Sequence, residues 1–238
     1  MKLFKLTIPL FFILFVSAEW KDDLKILKRK YSNAHTMEME MLTTLKDSKG
    51  RVYESFTSKM IKSGSNLYYK GIDYELVVGN TERVMIVKEE KLIHVYPGVN
   101  HGFNDNYNTW LMVLDSSHYF TNGDVTFKKL EGGSRMISYS LNNSEFVKIE
   151  LDYSIDALKV NKARMFLKKE VEDKKGAMLI KPYVEIILHK QKLNHKVPEE
   201  TFNTSRYVYE KQGKYYLSEK YKSYSLYTHP KTETIDTN

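Results

Sequence analysis

Hydrophobic and polar residues alternate along much of the chain, and that alternation predicts most of its elements. In residues 58–96 (SKMIKSGSNLYYKGIDYELVVGNTERVMIVKEEKLIHVY) apolar and aromatic positions recur at period two, interrupted by Lys62-Ser63-Gly64-Ser65, Gly79-Asn80 and Lys88-Glu89-Glu90-Lys91. Each interruption can reverse an extended chain, so the stretch predicts a β-meander. Tyr68, Ile72, Tyr74, Leu76 and Val78 lose perfect register around Lys70, which places a bulge or sharp bend at Gly71. Upstream, residues 36–46 (TMEMEMLTTLK) set Met37, Met39, Met41, Thr43 and Leu45 on one face and Glu38, Glu40 and Thr44 on the other. That is a strand with one apolar face. Asp47-Ser48-Lys49-Gly50 turns it into a second strand over 51–61, whose buried side the weaker alternation does not assign.

Past residue 124 the same reading gives strands over 125–130, 135–141, 146–153, 158–171 and 178–192, then one or two tyrosine-rich strands at 215–217 and 221–227, with a frayed tail from His229. Two stretches carry the helical period instead. In residues 19–34 (EWKDDLKILKRKYSNA) Trp20, Leu24, Leu27, Tyr31 and Ala34 share a face, Lys21, Lys25, Lys28 and Arg29 take the wet side, and Asp22 and Asp23 fall in the first turn. After the loop 97–106, Asn106 or Asn108 caps a short helix whose face carries Tyr107, Trp110, Leu111 and Leu114. The expected fold class is mainly β with a few helices (α+β): one domain over residues 19–238, a strongly curved antiparallel sheet or unclosed β-barrel with the helices on its concave side.

The N-terminus changes the compartment. MKLFKLTIPLFFILFVSA has Lys2 and Lys5, an apolar run from Leu6 to Val16, and then Val16-Ser17-Ala18 with small residues at the two positions a signal peptidase reads, the pattern of a secretory signal over residues 1–18. The apolar run is about half of the roughly 20 residues that span a bilayer. No cysteine is present, so the chain has no disulfide framework, thiolate site, thiol nucleophile or lipoprotein-type acylation cysteine. A soluble, unlipidated, periplasmic chain beginning at Glu19 is expected, a monomer. The formal charge of +7 is spread over basic and acidic residues alike. That argues against a nucleic-acid partner, while leaving an anionic lipid surface as a weak one.

Candidate chemistry is sparse. The seven histidines are scattered, with no HExxH, GxSxG or phosphate-binding glycine loop. His94, His101 and Asp105 are the nearest approach to a metal cluster and read better as loop polarity. No cofactor, metal or catalytic residue is expected.

A signal, an opening helix, long paired strands, GIDYELVVGNTERVMIVKEEKLIHVYP, a helix around Trp110, further strands and a late KVPEETF together resemble the periplasmic lipoprotein-carrier (LolA-like) family. The chain departs from that family in the charged turn at residues 88–91 and in its tyrosine-rich C-terminus, and the family's lid-locking arginine maps to no residue here. The resemblance implies an unclosed barrel with an apolar cavity for lipid or lipoprotein acyl chains, carried between membrane-bound donor and acceptor proteins. The alternative is an envelope sensor or interaction module on the same fold; an enzyme is a third class. Cavity candidates are Met37, Met39, Met41, Tyr74, Leu76, Val84, Ile86, Ile93, Trp110 and Leu114, which alternation alone does not distinguish from packed core.

Overall fold

The structure, a computed structural model, describes residues 7–98, 125–141, 145–172, 176 and 178–230, with side chains from residue 19 onward. The fold is mainly β with one long α-helix among the described residues. Twelve strands form one sheet whose order, read from one edge to the other, is β16-β6-β5-β4-β3-β2-β1-β13-β10-β9-β8-β7. The strands are β1 (Thr36–Lys46), β2 (Val52–Ser63), β3 (Asn66–Lys70), β4 (Tyr74–Val78), β5 (Glu82–Val87), β6 (Leu92–Pro97), β7 (Val125–Lys129), β8 (Ser134–Ser140), β9 (Phe146–Ser154), β10 (Lys159–Leu167), β13 (Tyr183–Leu193) and β16 (Ser225–Thr228). Two further hairpins stand beside it: β11 (Val171–Glu172) with β12 (Met178–Leu179), and β14 (Val208–Lys211) with β15 (Lys214–Leu217). The edges β7 and β16 do not pair with each other, so the sheet is unclosed. The fold class is therefore the α+β unclosed sheet that the alternation predicts.

The chain divides into two compact units, Met1–Asn33 with Leu42–Ser55 and Thr109–Leu188, and Ala34–Met41 with Phe56–Asn108 and His189–Asn238. In the first, α1 (Thr7–Ser32) buries Trp20, Leu24, Leu27 and Tyr31, the face the helical period assigns. The helix is longer than the sequence pattern suggests and runs unbroken through Ala18 and Glu19. Asp23 accordingly lies mid-helix rather than in a first turn. It is buried, and its carboxylate accepts from Arg135 Nη1 at 2.6 Å and Tyr153 Oη at 2.8 Å. The Val160 amide donates to Tyr31 Oη at 3.0 Å and Lys30 Nζ to the Leu158 carbonyl at 2.6 Å, so polar bonds as well as apolar packing fasten the helix.

Register in this unit is continuous from β7 through β8 and β9 to β10 and β13. Asn161 is an extra residue in β10 between Val160 and Lys162; its side-chain amide donates to Asp152 at 3.1 Å. A bulge of this kind increases local twist. The predicted strands 158–171 and 178–192 each break in two, at the charged residues Lys168–Glu170 in the first case and at Pro182 in the second, where no N–H is available for a ladder.

The second unit contains the meander. Its turns fall where the sequence places them, except at Gly71: residues 68–78 form not one bent strand but two, β3 and β4, closed by a tight turn in which the Gly71 amide donates to the Tyr74 carbonyl at 2.9 Å. β16 pairs parallel to β6, although an all-antiparallel sheet is expected from the sequence. The chain returns through the β14–β15 hairpin before re-entering the sheet, and that excursion lets it arrive in the same direction as β6. His229 is docked rather than frayed, its amide donating to the Val95 carbonyl at 2.8 Å. The helix expected around Trp110 and Leu114 lies outside the described residues.

Candidate ligand-binding face

Register sorts the candidate residues by face. Val77 pairs with Val84 and Val84 with Val95; Glu75 pairs with Ile86 and Ile86 with Ile93, so these six share one side of the sheet. Tyr69, Leu76, Met85 and His94 are likewise a cross-strand row, and with Met60, Leu67, Tyr74 and Val78 they take the opposite side. Strand β1 joins this division through its ion pairs. Glu38 Oε1 lies 2.7 Å from Lys59 Nζ, and Lys59 is one residue out of phase with Met60. Glu38 and Glu40 therefore belong to the Val77 side, and Met37, Met39 and Met41 to the Leu76 side.

The sequence candidates thus split. Met37, Met39, Met41, Tyr74 and Leu76 are brought together on one face, which we call the methionine face. Val84, Ile86 and Ile93 are placed on the other. Trp110 and Leu114 lie outside the described residues. On the methionine face Met37, Met39, Leu76, Met60, Leu67 and Val78 are buried, while Tyr74 is 38% exposed and stacks on Tyr69 with ring centroids 5.1 Å apart. Five methionines, Met37, Met39, Met41, Met60 and Met85, lie on this face, and an unbranched thioether adjusts to irregular shapes at little cost.

The opposite face is occupied by the chain's own C-terminal segment. Val77, Val84, Ile86, Ile93 and Val95 form one buried cluster with Tyr207 and Val208, and Tyr215, Leu217, Tyr221, Tyr224 and Leu226 pack around it. Two carboxylates hold that cover in place. Glu75 accepts from Tyr207 Oη and lies beside Tyr68, while Glu82 accepts from Thr204 Oγ1 and lies beside Tyr215. Burial and the hydrogen bond to Glu75 both push the Tyr207 phenol well above its ordinary range, so it remains a donor at any ordinary pH. The sequence pattern alone does not reveal this cover. Its signal is nevertheless present: single glutamates inside the apolar runs YELVV and ERVMIV, and a tyrosine-rich C-terminus able to reach them.

Beside the Glu75 side lies a charged rim. Glu38 meets Lys59, Lys192 and His195 Nε2, the last at 3.1 Å, and Glu40 meets Lys190 at 2.7 Å. The hydrogen bond from Lys59 holds the Glu38 carboxyl below the usual range.

Two open clefts of about 910 and 820 Å³ lie in the same unit, around Asn80, Pro97, Lys214 and His229, and around Asn66, Asn80, Glu200 and Asn203. None of the candidate residues lines either cleft. The amides, hydroxyls and carboxylates of the second suit water better than hydrocarbon, whereas the first also exposes Pro97, Tyr215 and Leu226. His94, the one described member of the metal-like cluster, has its Nδ1 3.1 Å from His229 Nε2. Among the described residues no group of three or more histidine, cysteine or carboxylate side chains is arranged to hold a metal, and no described helix is long and apolar enough to cross a membrane.

No family model and no curated protein matches the chain. Solved structures to which the chain is similar include an uncharacterized conserved protein from Thermus thermophilus, 11% identical with a TM-score of 0.46, the match covering 90% of this chain and 99% of that one. The lipoprotein LppX of Mycobacterium tuberculosis is 8% identical with a TM-score of 0.41, covering 75% and 96%. A LolA superfamily protein from Nitrosomonas europaea is 8% identical with a TM-score of 0.31, covering 78% and 97%.

Proposed function

We propose that the chain is an exported, non-enzymatic protein of the cell envelope that binds an acyl chain, of a lipid or a lipoprotein, on its methionine face and carries it between membranes. The observation that supports this reading is the division of the sheet into two faces. One is already covered by residues 207–226, held there by Glu75 and Glu82. The other collects Met37, Met39, Met41, Met60 and Leu76, side chains that exchange contacts readily between protein and hydrocarbon. Moving an acyl chain from water onto such a face gains about 0.8 kcal/mol per methylene, enough to hold a long chain without a covalent bond. Cleavage after Ala18 and delivery to membrane-bound acceptors belong to the same proposal.

The competing reading, an interaction module with no ligand, is favoured by one observation: Met39 and Leu76 leave 0% and 1% of their surfaces exposed, as a filled core would. A paired substitution separates the two. Ile86→Lys puts a charge into the cluster covered by the C-terminal segment and is expected to abolish the cooperative melt. Met39→Lys is expected to keep a cooperative melt and lose uptake of a fluorescent fatty-acyl probe. A parent chain that takes up no probe, together with a Met39→Lys chain that unfolds as Ile86→Lys does, would establish the module.

A further inference from the structure

The outward face of the β14–β15 hairpin has a composition that packing does not explain. Tyr209 pairs with Tyr216 and Lys211 with Lys214, so these four side chains share one face; Val208, Glu210, Tyr215 and Leu217 take the other. Val208 is fully buried in the C-terminal cluster, and Tyr215 and Leu217 pack against it, so the four-residue face points away from the core. All four residues are exposed. The two tyrosine rings stack on each other at 5.7 Å while keeping 47% and 42% of their surfaces open. The hairpin closes through Gln212 and Gly213 at φ 53° and 74°, a two-residue turn of the twisted kind that projects both lysines from a rigid tip.

Stacked tyrosines beside lysines, with no acid among them, form a surface suited to the boundary of an anionic bilayer. Tyrosine places an apolar ring at headgroup depth and keeps its hydroxyl wet, and lysine beside a negatively charged leaflet is attracted to lipid phosphate. The charge of the surrounding segment agrees: residues 206–230 hold five lysines and arginines against two glutamates. From these observations we infer that the β14–β15 hairpin docks the protein on an anionic lipid surface, its tyrosines entering the headgroup layer and Lys211 and Lys214 engaging phosphates. An acidic protein surface would satisfy the lysines alone and leave the tyrosine pair without a purpose. The docking face includes no residue of the methionine face and does not depend on acyl-chain binding.

The test is co-sedimentation of the full chain with vesicles of phosphatidylglycerol and phosphatidylethanolamine, and with vesicles of phosphatidylcholine alone, at low and high salt. The expected result is preferential binding to the anionic vesicles that weakens with salt. Lys211→Glu with Lys214→Glu, and separately Tyr209→Ser with Tyr216→Ser, should each reduce it about tenfold. Both variants should melt like the parent and take up the acyl probe like the parent, because the substituted side chains touch neither the core nor the methionine face. Equal binding to both vesicle types, or variants that sediment as the parent does, would overturn the inference. Failure of the acyl-binding proposal would instead appear as absent probe uptake with vesicle binding intact.

Discussion

Asp23 shows how one buried carboxylate organises its surroundings. It is enclosed by the α1 face and takes hydrogen bonds from Arg135 and Tyr153, and burial together with the bond to Asp23 drives the Tyr153 phenol far above its ordinary range. Asp23→Ala leaves a partly buried guanidinium and a buried hydroxyl without their acceptor, and a urea melt should show a loss of about 3–5 kcal/mol. Tyr153→Phe removes one donor and should cost about 1 kcal/mol. Equal losses would mean that Arg135 is satisfied elsewhere, since it also lies 3.0 Å from Glu19. A second prediction at this scale concerns His229, whose ring stacks on Tyr96 at 3.8 Å and faces His94, Tyr227 and, across Tyr96, Arg83. Burial, then His94 and Arg83, lower its pKa from the ordinary 6.5. The folded state therefore favours the neutral ring. Its stabilising contribution is complete above about pH 6.5 and is lost as the pH falls through the lowered value. The protection factors of the Tyr227 and His229 amides, exchange rates corrected for the intrinsic slowing of base-catalysed exchange at lower pH, should fall between pH 7.5 and 5.5, values set roughly a unit either side of the free imidazole, and His229→Gln should flatten that dependence. Unchanged protection in the parent would contradict it.

The elements differ in how legible they are from sequence. The strand over residues 36–46 has the bounds of β1 because its alternation is clear through Met41 and polar turns flank it, although burial changes sides past Leu42, where Thr44 is buried rather than Thr43 and Leu45. The turns at 62–65, 79–80 and 88–91 are legible for the same reason. Gly71 is not, because a bulge and a tight turn both call for a residue that breaks register, and only the pairing of Lys70 with Glu75 shows that the chain reverses there. The face of each meander strand is also hidden: Leu76 and Val84 are equally apolar, and which side each takes depends on the partner strand's register. Least legible is the C-terminal segment, whose tyrosines act through non-local bonds to Glu75 and Glu82. Glu82→Ala removes the acceptor of the buried Thr204 hydroxyl and should cost about 2 kcal/mol in a thermal or denaturant melt. A chain truncated before Tyr207 uncovers Val77, Val84, Ile86, Ile93 and Val95 and should bind a hydrophobic dye and elute as aggregate. A soluble, dye-negative truncation would show that this face does not need its cover.

At the scale of the whole molecule, the proposed function rests on the second unit, where one face of the strands is closed by the protein's own C-terminus and the other is lined by methionines. Cleavage after Ala18 removes Lys2 and Lys5 and takes the formal charge from +7 to +5; that surplus and the exposed tyrosine-lysine hairpin are, on the inference above, a means of approaching a membrane, separate from the means of holding what is taken from it. The decisive experiment is native mass spectrometry of the protein purified from its own envelope fraction, with organic extraction and identification of whatever is bound. Acyl-chain binding predicts a mass increment that releases a lipid or an acylated peptide, and its loss in Met39→Lys with the fold retained. A protein of bare polypeptide mass that also takes up no acyl probe would refute it.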